Sequence, residues 1–284
     1  MLWFFFGILL SLSWALTPIA SRYLMRKGLD PYAFTASFLT LSTVLLFLMT
    51  IAIEGFYIDY SLIPVSFLIA VLMYLAGLLW VIATKYEEAS YVNSLLQLDL
   101  PLVIFLGIFL LNENLNVQSF LGALLILGAC IYLSKKGFTT IIHQKKVLLL
   151  LAGSVLLAAL LKLLIKSYVG ENSLFFTTTV MFFRMLIAFA IVLSKKESLS
   201  HLNKLLRNKR NLFAVFVRSV FTTTATVSIF LALRFGMLSK VSIISSTSPL
   251  FSVLLGGKML GESKIKIRLF SAIIIVLGSL LTIL

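Results

Sequence analysis

The sequence predicts an all-α integral membrane protein in which ten transmembrane helices form two inverted five-helix repeats. Three observations predict it. Hydrophobic residues make up 61% of the 284, and mean hydropathy is +1.10. That is far above the apolar share of an ordinary soluble domain, so lipid must be the solvent. Apolar runs long enough to cross a core of about 30 Å, which takes about 20 residues each, number ten. Finally, the layout of the stretch 83–128 returns near the C-terminus.

The runs lie at about 2–21, 31–53, 62–84, 89–111, 117–134, 147–166, 173–194, 212–233, 238–259 and 267–284. A shift of 149 places Ala83 on Ala232, Ser90 on Ser239, Gly107 on Gly256 and Glu113 on Glu262, while Pro101 misses Pro249 by one residue. This divides the chain into repeats 1–137 and 138–284 within one membrane domain, with the basic linker 135–146 at the boundary. Five spans per half force opposite orientations, the inverted-repeat plan of many transporters. The connections are too short to hold a soluble domain.

A net charge of +14 would suggest nucleic acid in a soluble chain; here its distribution matters more. Eighteen Lys and Arg fall on odd-numbered connections, among them Arg22, Lys85, Lys145, Lys204 and Arg268. At most four, Lys162, Lys166, Arg234 and Lys240, fall on the even side. Positive charge stays cytoplasmic, so a multi-pass protein of the inner or plasma membrane is expected, with both termini outside the cytoplasm. The cluster 204–210 is then a cytoplasmic loop, and no nucleic-acid partner is expected. The chain opens MetLeuTrpPhePhePhe with no basic n-region, so the first span is expected to stay as an anchor.

Within the spans, Pro18 should loosen the first helix. The run LeuAsnLysLeuLeuArg in the connection 194–211 suits a short interfacial amphipathic helix. Cys130, the single cysteine, suits a small packing residue. Spans eight and nine carry a hydroxyl ladder through Thr222, Thr223, Thr224, Thr226, Ser242, Ser245 and Ser246. In lipid such faces need partners or a wet cavity.

Of the ten acids, only Asp99 lies deep in a span. A carboxylate there costs about 2.5–3.5 kcal/mol on insertion scales unless paired or hydrated. We expect Asp99 to face a central cavity near Arg184, with Asn93 and Gln97 on neighbouring turns; it is the proton-coupling candidate. The competing reading is that Asp99 bonds a helix perturbed by Pro101. Arg184 serves substrate or locks two helices by an ion pair. Lys162 and Lys166 are expected to snorkel outward, and Arg218 to snorkel or line an inner vestibule. The candidate substrate-binding set is Trp14, Asn93, Gln97, Asp99, Arg184, Thr222 and Ser245. HisGluxxHis and phosphate-loop motifs are absent, and no metal or cofactor is called for.

An AlaLeu-x-[TyrPhe] end to a third helix, a proline in the fourth, a Glu at its far end and a glycine-bearing fifth helix, all repeated, resemble the drug/metabolite transporter superfamily. The ten-span EamA-type permeases fit best. The resemblance covers the whole chain and is sharpest from Pro249 to Glu262 with Gly278, and from Glu113 to Gly122. It marks Pro101, Glu113, Pro249 and Glu262 as structural signature residues. Arg184 resembles a family arginine, which the first half lacks at about Phe38.

Membership implies a secondary transporter, an exporter or exchanger of a small polar metabolite such as an amino acid. Alternating access would act around a midplane site built from spans one, three, four, six, eight and nine. A membrane-embedded enzyme, a lipid-handling protein and a non-transporting scaffold subunit are the alternatives. An enzyme would need a reactive pair, and only one deep acid exists. One chain holds both repeats, so a monomer in the lipid bilayer is expected to suffice for a small-molecule substrate.

Overall fold

The computed structural model describes residues 2–55, 59–112, 117–136, 144–170, 173–261 and 264–281. Its regular elements are helices: α1 (Leu2–Arg26), α2 (Pro31–Ile53), a 3-10 turn (Tyr60–Leu62), α3 (Ile63–Tyr86), α4 (Ala89–Leu96), α5 (Asp99–Leu111), α6 (Val117–Lys136) and α7 (Gln144–Tyr168). They continue with α8 (Ser173–Leu193), α9 (Lys196–Arg207), α10 (Lys209–Phe235), α11 (Leu238–Ser245), α12 (Ser248–Leu260) and α13 (Ile265–Leu281). Eight segments among the described residues are long and apolar enough to cross a membrane. The apolar part of α6, Phe120–Tyr132, is shorter, and α13 has 17 described residues.

Local chemistry sets the boundaries. Asp30 caps α2 by accepting from the Ala33 amide at 2.9 Å, and Asn208 caps α10 by accepting from the amides of Arg210 and Asn211. Each cap satisfies donors that the first helical turn leaves open. Pro18 leaves α1 continuous: the Trp14 carbonyl that it cannot serve accepts instead from the Thr17 hydroxyl at 3.2 Å.

Spans four and nine are not the continuous helices the apolar runs suggest; each is broken at mid-length. The reason is proline, which has no amide hydrogen for the carbonyl four residues back. Pro101 leaves the Gln97 carbonyl without its helical donor, and the Leu100 amide takes it at 3.1 Å across a tighter turn. Pro249 does the same to Ser245, and the Leu250 amide reaches the Thr247 carbonyl at 3.2 Å. The 149-residue shift lays α4 on α11 and α5 on α12. It also lays the left-handed cap Asn112 (φ 51°) on Gly261 (φ 59°). The extended caps of α3 and α10, Glu87 and Gly236, share backbone angles within 1°.

Packing follows the same correspondence. α1 packs on α10 as α7 packs on α3; α3 meets α8 as α10 meets α2; α1 meets α12 as α7 meets α5. α2 contacts α8, and α6 contacts α13. Exchanging the two sets of helices leaves these contacts unchanged. Buried Phe34, Phe38, Tyr74 and Met181 belong to one apolar core, whereas Phe109, Leu149 and Phe213 project outward from the helix surface, the belt expected of a chain solvated by lipid. α9 forms where the amphipathic run predicts a helix and lays Leu202 and the buried Leu205 on that core.

Candidate functional site

A cavity of about 160 Å³ lies among the middle turns of α1, α3, α4, α5, α7, α8 and α10. Its wall includes six of the seven predicted residues: Trp14, Asn93, Gln97, Asp99, Arg184 and Thr222. Ser245 is not among them. It ends α11, and its hydroxyl bonds back to the Ser242 carbonyl at 2.9 Å. Glu113 and Glu262 lie outside the described residues.

The two helix breaks shape the site. Gln97 and Asp99 flank the interruption between α4 and α5, so both side chains reach the wall. Asn93 donates to Ser252 at 2.6 Å and to Ser248 at 3.3 Å, tying α4 to α12. Gln97 donates to the Asn93 carbonyl at 3.2 Å. The amides therefore line the cavity while holding two broken helices together.

Asp99 is paired, but not with Arg184. Lys162 Nζ donates to Asp99 Oδ2 at 2.6 Å, and both side chains are less than a tenth exposed. Lys162 therefore does not snorkel. Its ammonium lies 5.4 Å from the Trp14 ring centre, a favourable cation–π placement. Lys166, half-buried, donates to the carbonyls of Leu233 and Gly236 at the C-terminal end of α10 at 2.9 and 2.7 Å.

Arg184 is buried, its Nη1 lies 3.9 Å from the Met181 sulfur, and its Nε has no partner among the described residues. Gly77 makes room for it: a Cβ there would stand 2.5 Å from Arg184 Nη2. Arg218 is also buried at the wall. Its Nε donates to Ser21 at 3.1 Å, its Nη1 donates to Thr222, and the guanidinium stands 4.4 Å from the Phe38 ring centre. It neither snorkels nor lies apart from the other candidates. The signal for it was present, since Arg218, Thr222, Thr226 and Ile229 fall at the spacing of one helix face. Met73, Gly77 and Trp80 repeat that pattern on α3.

The hydroxyl ladder divides. Thr222 and Thr226 line the cavity. Ser219 instead donates to the Phe38 carbonyl, Ser42 to the Ser219 carbonyl and Thr223 to the Ser42 carbonyl, stapling α10 to α2. Cys130 is buried with its sulfur 3.5 Å from the Ser94 carbonyl.

A crystal structure of a protein sharing 15% identity superposes with a TM-score of 0.74 over 97% of this chain and 96% of that one, a likeness of fold. No curated protein matches significantly. The family model for EamA-like transporters matches residues 1–135 and 145–284. With nearly every residue inside that match, the chain belongs to the EamA-like transporter family.

Proposed function

We propose that the protein is a secondary transporter, exporting or exchanging a small polar metabolite of amino-acid size by alternating access. The observation that carries this is the charged cavity at mid-length of the helices. Its wall draws Trp14, Gly77, Asn93 and Asp99 from α1–α5 and Ser154, Arg184 and Thr222 from α7–α10. Intramembrane ions are costly and mark solute or ion pathways. The volume of about 160 Å³ is below the roughly 300–1,000 Å³ of sites for drug-sized ligands, which favours a metabolite.

In this reading residues 1–137 and 138–284 are inverted repeats of five spans each, and one rocks against the other around the cavity. The packing that survives exchange of the two helix sets supports it. Asp99 is the site at which a proton couples to the cycle, because its only charged partner among the described residues is Lys162. Protonating Asp99 releases that ammonium. Family membership, a cavity shared between the two sets and a single deep carboxylate favour transport over an embedded enzyme.

The test compares metabolites inside and outside cells making the wild-type chain or Asp99→Asn, with membrane expression verified for both. A redistribution of one solute class by wild type alone is expected. Equal redistribution by both would remove Asp99 from the mechanism, and none by either would remove the transport reading.

A further inference from the structure

The charges at the cavity do not balance. Asp99 is neutralised by Lys162 at 2.6 Å, which leaves the guanidinium groups of Arg184 and Arg218 on the same wall. Neither has an ion-pair partner among the described residues. Arg218 is held by the hydroxyls of Ser21 and Thr222, which supply dipoles but no countercharge. Arg184 has less: a weak sulfur acceptor at 3.9 Å and an Nε with no partner. Trp80, also on the wall, adds a second buried donor, Nε1, without an acceptor among the described residues.

A buried cation costs several kcal/mol unless an opposite charge meets it. Two such cations and two open donors converging on one cavity form a receptor for negative charge. The planar guanidinium fork matches the oxygens of carboxylate and phosphate alike. The wall also offers apolar and aromatic groups, Met73, Leu96, Leu161 and Ile229 beside Trp14, next to the neutral polar Thr17, Asn93, Gln97, Ser154 and Thr226, so it suits an organic body better than a bare inorganic ion. We propose that the cavity selects a small organic anion, its carboxylate or phosphate oxygens bound by Arg184 and Arg218. This rests on the transport reading and names its substrate class: net anions rather than neutral or cationic solutes.

The test is calorimetric titration of the purified full-length chain with benzoate, succinate, phenyl phosphate and glycerol 3-phosphate. Benzamide, succinamide and benzylamine serve as uncharged and cationic counterparts. At least one anion should bind saturably and at least tenfold more tightly than those counterparts. The carboxylates and phosphate esters separate the two oxyanion classes. Arg184→Gln should weaken that anion at least tenfold, and Arg184→Lys should weaken it less. Arg218→Lys is the second variant if Arg184→Gln is not monodisperse, and it should weaken binding by severalfold.

Anions bound no better than their counterparts, no anion bound at millimolar concentration, or wild-type affinity in Arg184→Gln would each overturn the proposal. Counterflow in proteoliposomes separates it from the transport reading. Movement of neutral solutes alone defeats the anion site and leaves transport standing. Anion binding without counterflow of any solute keeps the site and defeats transport.

Discussion

Lys162 on α7 and Asp99 on α5 form a buried ion pair at 2.6 Å, and the pair has no counterpart across the repeat. The 149-residue shift lays Asp99 on Ser248, and the 144-residue shift that relates α1 to α7 lays Pro18 on Lys162. Because the related positions carry no charge, this pair makes the two sets of helices chemically unequal. Removing one partner leaves a buried charge unmet, at a cost of about 3–5 kcal/mol. Asp99→Asn and Lys162→Met should each lower stability by about that amount in denaturant unfolding, and the double variant should recover most of it. If Asp99 carries the proton, the double variant should also retain solute exchange but lose accumulation driven by a pH gradient.

Gly77 separates binding from stability. Its replacement by Ala places a methyl only 2.5 Å from Arg184 Nη2, so the guanidinium must move away. Alanine is favoured over glycine in a helix by roughly 0.5–1 kcal/mol, and the displaced atom is the far end of a flexible side chain. Gly77→Ala should therefore melt at or above the wild-type temperature while its transport rate falls about tenfold. A parallel fall in both would show that Gly77 matters to packing rather than to the arginine.

Much of this was legible in the residues. The 149-residue shift read from the residues pairs positions whose helix ends and caps match in the backbone, because caps and prolines act locally. The mid-span breaks were harder to see: an apolar run continues through them, and only Pro101 and Pro249 mark the lost hydrogen bonds. The partner of Asp99 was beyond reach, since Lys162 stands 63 residues away and a lysine a turn or two from a span end equally well suits snorkelling. Arg218 was on the face of Thr222 all along; the missing knowledge was which way that face turned. Ser245 stands off the wall although its hydroxyl bonds its own helix just as those of Thr222 and Thr226 do on the wall, so hydroxyl content alone did not show which helix faces the cavity.

Arg22 and Lys166 make related contacts 144 residues apart. Arg22 donates to the Thr84 carbonyl at the end of α3 at 2.5 Å, and Lys166 donates to the Leu233 carbonyl at the end of α10 at 2.9 Å. Thr84 and Leu233 are themselves related by the 149-residue shift. A cation suits a helix C-terminus, where carbonyls lack amide donors and the dipole is negative. Hydrogen bonds to charged groups contribute about 1.5–3 kcal/mol. Arg22→Met and Lys166→Met should each destabilise by about that range in denaturant unfolding, with anion binding retained within severalfold.

Lys146 at the start of α7 donates to the Tyr86 hydroxyl at the end of α3 at 2.8 Å, so the two helix ends lie together. The segment Ala89–Leu111 between them is long enough to cross once. The chain must cross again to return, and α6 is the helix available: at about 1.5 Å per residue, its 20 residues reach about 30 Å. In a Cys130→Ser background, Lys85→Cys and Lys145→Cys should therefore react with an impermeant maleimide from one and the same side. The charge distribution predicts that side to be cytoplasmic, together with Lys204→Cys, while Ser61→Cys and Ser167→Cys should react in intact cells. Labelling of Lys85→Cys and Lys145→Cys from opposite sides would mean that α6 does not cross. Labelling of all three lysine positions in intact cells, with none at Ser61 or Ser167, would keep the ten crossings and turn the protein over.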